Sequence, residues 1–195
     1  NIILGLFETT NGKVLIDNNQ LNSSNAKSWQ KNIGYVSQDL FMLDSSISEN
    51  ISFGRKVKTG NNNAIRVAAK KAKIHNFIVN NLANSYETII GDRAVRLSGG
   101  EKQRIAIARA LYEDPEIIIF DEATSSLDQI TEKEVLNEIQ ILTKKKTIIM
   151  IAHRLNTIKN CDLIILLNEG SIEAAGSYEE LKNSKNSFSK MLSQE

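Results

Sequence analysis

A chain of 195 residues has the length of one domain, and its 41% apolar fraction is enough to bury a core without metals or disulfides. Its 24 Lys and Arg nearly cancel its 23 Asp and Glu, and the net charge of +1 excludes recognition of nucleic acid or anionic lipid through a global field. The lone cysteine, Cys161, excludes a disulfide framework and reads as a small buried thiol, and no apolar stretch approaches the roughly 18 to 20 residues that a bilayer span requires.

Residues 1–7 are apolar from their second position, with no N-cap before them, and read as the last turns of a helix entering from upstream. A turn at Asn11-Gly12 leads to a short strand over 14–16, ended by the tight turn Asp17-Asn18-Asn19. A second strand, 33–36, runs into Ser37-Gln38. Between Ser48 and Asn84 the pattern becomes helical, with Ala64, Val67, Ala68, Ala72 and Ile74 on one face and Lys and Asn on the others, which reads as an inserted helical lobe. The second half alternates apolar runs at 117–120, 147–151 and 163–167 with a helix near 131–142 and a short helix, the pattern of parallel strands with crossover helices. Asn168-Glu169-Gly170 turns the chain into 171–175 as an edge hairpin, and the last twenty residues read as one or two polar helices.

Three of the strand candidates finish in polar residues: Val36-Ser37-Gln38, Phe120-Asp121-Glu122 and Ile151-Ala152-His153. Taken singly, these read as a turn residue, a helix cap and a structural imidazole. Their recurrence at carboxyl ends, where an open parallel sheet presents its ligand crevice, points to a shared site. The run Ile117-Ile118-Ile119-Phe120-Asp121-Glu122 has the form of a Walker B segment, an apolar strand that delivers an acid to Mg²⁺. Glu122, beside it, suits a general base toward an attacking water. A second site is suggested by Leu97-Ser98-Gly99-Gly100-Glu101-Lys102-Gln103-Arg104 before the helical run 105–111. There Ser98 can cap the helix, two glycines let a ligand approach the backbone, and the open amides suit an anion; an ordinary capped helix fits the same residues.

Together these segments resemble the nucleotide-binding domain of ATP-binding-cassette transporters. Residues 97–103 look like the family signature, 117–122 its Walker B, Ser125-Ser126-Leu127-Asp128 its D-loop, Ile151-Ala152-His153-Arg154 its switch-histidine loop and Tyr35-Val36-Ser37-Gln38 its Q-loop. The resemblance implies an α/β fold of the P-loop NTPase kind: a mostly parallel sheet with flanking helices and an inserted α-helical subdomain. It divides the chain into a catalytic core at 1–40 and 115–195 and a helical subdomain at 41–114 that holds the signature.

The resemblance also assigns roles. Two domains pair head to tail around ATP, so that Ser98, Gly99, Gly100 and Gln103 meet nucleotide carried by the partner, with Asp128 linking the two half-sites. Within its own half-site Asp121 holds Mg²⁺ through water, Glu122 acts as base, His153 contacts the γ-phosphate, and Gln38 senses metal and phosphate. The segment 41–54 looks like the surface that receives the coupling helices of an exporter's transmembrane domain. Residues 87–93 resemble the exporter-type segment before the signature, with Asp92 and Ala94 departing from the usual Glu and Gly. An exporter or flippase at the cytoplasmic face of a membrane, a bacterial inner membrane by expectation, is therefore implied, with no nucleic-acid partner. Two rivals are a catalytically inactive half that lends its signature to a partner, and a soluble cassette ATPase of DNA repair or translation.

No Gly-x-x-x-x-Gly-Lys-Ser/Thr occurs in the chain, and the resemblance places the end of that P-loop a few residues before Asn1. Its phosphate hydrogen bonds contribute about 1.5 to 3 kcal/mol each. The expectation is that this segment alone binds ATP weakly and hydrolyses none, and that the native polypeptide is longer, with the transmembrane domain in the same chain.

Overall fold

The computed structural model describes residues 1–53, 55, 62–91, 97–122, 128–143, 146–152, 154–184 and 187–192. They form two compact units, Asn1–Ile149 and Met150–Glu195.

The first unit opens on a turn, not a helix. Gly5 N–H donates to the Ile2 carbonyl and Leu6 N–H to that of Asn1, with Gly5 at φ 67°. This is the paired bonding of a Schellman helix stop, so the apolar pattern of residues 1–7 signals a terminus while the residues themselves adopt turns. The Trp29 indole N–H donates to Ile3 O at 2.7 Å and the Gln30 amide to Leu4 O at 3.2 Å, which fixes this turn on helix α1 (Ala26–Gln30). The hairpin of β1 (Leu15–Ile16) and β2 (Asn19–Gln20) turns at Asp17 and Asn18, both at positive φ, as a type I′ connection demands.

Strand β3 (Ile33–Val36) pairs in parallel with β6 (Ile117–Asp121), and β7 (Thr147–Ile151) completes a sheet of order β3-β6-β7. Alternation sorts the side chains. Ile33 and Ile119 pack with Leu4, Trp29, Ile117 and Ile149 on one face, while Val36, Ile118 and Phe120 are buried on the other. Helix α5 (Gly99–Leu111) lies against β3 so closely that a side chain in place of Gly34 would collide with the Ala110 carbonyl and the Pro115 ring. Only glycine permits that approach.

Between β3 and α5 the chain forms β4 (Ser45–Ser46), α2 (Ile47–Ser52), α3 (Asn62–Lys71), α4 (His75–Asn81), a 3₁₀ turn at Ser85–Glu87 and β5 (Ile89–Ile90), which pairs antiparallel with β4. Helices α2 and α3 pack on α5. The buried stripe of α3 is Ile65, Ala68 and Ala69, continued by Ala72; the expected Val67 is 43% exposed. The i, i+3, i+4, i+7 set starts at Ile65, not at Ala64, because the larger side chain takes the seam.

Helix α6 (Gln129–Thr143) precedes β7. In the second unit, α7 (Leu155–Ile158) leads to a hairpin of β8 (Ile164–Asn168) and β9 (Ser171–Gly176), whose turn sets Glu169 and Gly170 at positive φ. One face of the hairpin packs against α8 (Tyr178–Lys182) and α9 (Ser187–Leu192) around Ile164, Leu181 and Phe188, with the Tyr178 ring edge-on to Phe188 at 5.6 Å. Cys161 packs against this cluster, and burial raises its thiol pKa. Among the described residues no helix is long and apolar enough to cross a membrane.

Candidate functional site

Because β3 and β6 run parallel with Val36 opposite Phe120, the residues that follow each strand emerge on one edge of the sheet. The Gln38 amide donates to Glu122 Oε2 at 3.2 Å, and the Tyr35 hydroxyl donates to Asp121 Oδ2 at 3.1 Å. Two of the three polar strand ends thus meet side chain to side chain. The third, His153, lies outside the described residues, as do Ser125, Ser126 and Leu127 of the D-loop.

Glu122 sits at φ 51°, a left-handed backbone that costs a residue with a Cβ about 1 to 2 kcal/mol. The Gln103 side chain, only 2% exposed, donates to its carbonyl at 3.5 Å and so ties α5 to the strand tip. A residue with a strained backbone, held at its carboxylate by Gln38 and at its carbonyl by Gln103, is the kind of outlier that gathers at functional sites. Tyr35 is held neutral well into the alkaline range, first by burial and then by its bond to the Asp121 carboxylate.

The start of α5 is a capping box. Ser98 Oγ accepts the Glu101 N–H at 3.3 Å, and Glu101 Oε2 accepts the Ser98 N–H at 2.8 Å. Ser46 with Glu49 and Ser177 with Glu180 start α2 and α8 in the same way, so the cap itself is a folding device. What sets Ser98 apart is the pair of glycines after it: the Gly99 and Gly100 amides, at the first two helical positions, have no acceptor within the helix and no side chain to cover them. Asp128 caps α6, its Oδ1 accepting the Thr131 N–H at 3.0 Å, and that bond is the main reason its pKa is lowered.

Two residues of this region escape a reading of the sequence. Tyr35 belongs to a legible segment, but its partner depends on the β3–β6 register. Arg109, within α5, is half-buried, donates to Asn50 O at 2.8 Å, Phe41 O at 3.0 Å and Asn50 Oδ1 at 3.3 Å, and lies 4.2 Å above the Phe53 ring. Burial pushes its pKa down to about 10, so it is still a cation at neutral pH. A guanidinium in a helical stretch gives no sign of which carbonyls it will meet.

The donors at the strand tips are hard oxygens: the Asp121 and Glu122 carboxylates and the Gln38 amide. Asp121 Oδ2 is taken by Tyr35, and among the described residues Oδ1 accepts no protein hydrogen bond. No group of three or more His, Cys, Asp and Glu that could cage a metal occurs among the described residues. A cation held by one or two carboxylates plus substrate oxygens and water, as Mg²⁺ usually is, fits this donor set.

A family model described as "ABC transporter" matches residues 1–125. The beta-(1→2)glucan export ATP-binding/permease protein NdvA of Bartonella bacilliformis is 42% identical over 98% of this chain and 32% of its own length. The multidrug resistance protein pgp-1 of Caenorhabditis elegans is 40% identical over 95% of the chain and 14% of its own length. The solved structure of a bacterial Atm1-family ABC exporter with ATP bound, 35% identical, superposes with a TM-score of 0.91 over 99% of this chain and 34% of that one. The chain therefore spans about a third or less of the proteins it matches. The sequence match over residues 1–125 and the superposition on an exporter lead to one conclusion: the chain belongs to the ATP-binding-cassette transporter family and has its ATPase fold.

Proposed function

We propose that this chain is the ATP-hydrolysing part of an exporter, driving a substrate across or between the leaflets of a membrane from its cytoplasmic face. The observation that carries the reading is the junction of Gln38, Asp121 and Glu122 at the tips of two parallel strands, with a strained Glu122 backbone tied to the signature helix by Gln103. An acid built into such a frame is pre-positioned for proton transfer, which contributes roughly 10²- to 10⁴-fold to rate.

In this reading Glu122 accepts a proton from the water that attacks the γ-phosphorus, as the bond from that phosphorus to the ADP oxygen breaks. Asp121 would hold the hydrated metal, and Gln38 holds Glu122 and reports the state of the site to the segment that follows. His153 contacts the γ-phosphate. When bound, Mg²⁺ neutralises charge on the β- and γ-phosphates. Ser98 and the Gly99 and Gly100 amides close over the nucleotide of a second, head-to-tail copy, with Gln103 behind them and Asp128 at the seam. The helical lobe, residues 41–114, carries this signature toward the partner, while residues 1–40 and 115–195 hold the catalytic core.

Relatives three or more times as long, named for export and multidrug resistance, support a full-length polypeptide with transmembrane helices of its own; a bacterial inner membrane is the location we propose for it. The segment alone is inactive in this reading. The test is phosphate release by the full-length protein in liposomes. Saturable release that requires both Mg²⁺ and ATP is expected, and a folded, membrane-inserted protein that releases none would overturn the proposal.

A further inference from the structure

Tyr35 has no role in the reading above, yet among the described residues it makes the one side-chain hydrogen bond to Asp121, across 86 residues of sequence. Register explains the meeting. Tyr35 pairs with Ile119, and Asp121, two residues further along β6, shares its face of the sheet, so the ring reaches diagonally along that face. The neighbours on this face, Ile33 and Ile119, are buried, whereas Tyr35 is 38% exposed. Packing alone therefore does not account for a tyrosine there, since phenylalanine or valine would cover the same apolar neighbours.

We infer that Tyr35 is a positioning residue for the Asp121 carboxylate on the metal side of the site, an inference that rests on the functional reading just given. An ionised carboxylate only accepts hydrogen bonds, so the phenol must be the donor. Occupying Oδ2 fixes the rotation of the carboxyl plane and leaves Oδ1 as the oxygen that meets the hydrated cation. Partners of this kind orient metal ligands and are felt in metal affinity more than in fold. The hydroxyl is neutral, so it fixes the carboxylate without cancelling the charge that attracts the cation.

The test is Mg²⁺ titration of fluorescent ATP-analogue binding to the full-length protein. Tyr35→Phe removes one oxygen and should raise the Mg²⁺ midpoint about 2- to 10-fold, the worth of one hydrogen bond, while the plateau of bound nucleotide stays in place. In an Asp121→Asn background the same change should move the midpoint no further, since the two residues act through one bond. An unmoved midpoint in Tyr35→Phe, or an equal shift in both backgrounds, overturns the inference and leaves the functional reading standing. Nucleotide binding by the wild type that ignores Mg²⁺, or Mg²⁺ dependence unaltered by Asp121→Asn alone, overturns both.

Discussion

Gln38 and Glu122 lie 84 residues apart in sequence and 3.2 Å apart in space, amide nitrogen to carboxylate oxygen, because β3 and β6 run parallel in a register that ends both strands together. Replacing the amide by a second acid places two carboxylates within hydrogen-bonding distance, where both cannot ionise easily. In Gln38→Glu the acidic limb of the hydrolysis pH profile should move up by roughly one unit or more, with activity recovered at higher pH. A profile that superposes on the wild type would mean that the two groups part once nucleotide is bound.

In the proposed function Ser98 carries two separable jobs. As a cap it contributes about 1 kcal/mol, so Ser98→Ala should lower the unfolding free energy by roughly that amount and Ser98→Thr should restore most of it. If Ser98 also belongs to the surface proposed to close over a second copy's ATP, it should not tolerate bulk. Ser98→Phe is expected to abolish cooperative hydrolysis in the full-length protein while each copy still binds nucleotide, which equilibrium binding measured beside turnover distinguishes.

Arg109 joins α5 to the loop after Gln38 through Phe41 O and to helix α2 through Asn50 O and Asn50 Oδ1, and stacks on Phe53. Asn50 is fully buried and bonds back to Leu43, so losing the guanidinium strands several acceptors at once. Arg109→Met should cost about 2 to 4 kcal/mol in denaturant unfolding. Arg109→Lys should recover only a fraction, because an ammonium cannot reproduce the planar fork or the ring stacking.

His75 Nδ1 lies 2.8 Å from the Tyr86 hydroxyl, and its pKa is lowered from 6.5 by burial first and then by Lys70 and Arg66. A lowered value means that the unfolded chain takes up the proton before the folded one does. The stability this group contributes is therefore complete above pH 6.5 and lost as pH falls through the folded value. An NMR titration should place the His75 midpoint below 6.5, and Arg66→Gln should raise it toward that value.

Much of the architecture is legible without coordinates. Strands 33–36 and 147–151 occur at the bounds their apolar runs predict, and the Asp17-Asn18 and Glu169-Gly170 turns form where their residues tolerate positive φ. The convergence of Gln38 with Asp121 and Glu122 is also legible, since strand carboxyl ends share an edge whenever pairing is parallel. What escapes depends on register or on contacts between distant elements. Tyr35 meets Asp121 by a diagonal offset, Arg109 finds one carbonyl in a loop that has no periodicity and another on α2, and the two-residue ladder of β4 and β5 is too short to leave a pattern. On α3 the stripe begins at Ile65, one residue beyond the expected Ala64, because small alanines on both sides leave the phase of the periodicity open. The apolar start at residues 1–7 carries the chemistry of a helix stop, in which Gly5 supplies the left-handed residue and turns replace helix.

The central claim is that Glu122 is the base that activates water, held by Gln38 and a strained backbone. Single-turnover hydrolysis by the full-length Glu122→Gln variant, with bound nucleotide measured on the same sample, tests it most directly. The account predicts hydrolysis slowed by roughly 10²- to 10⁴-fold while MgATP stays bound between paired copies. Hydrolysis at the wild-type rate in that variant would contradict it.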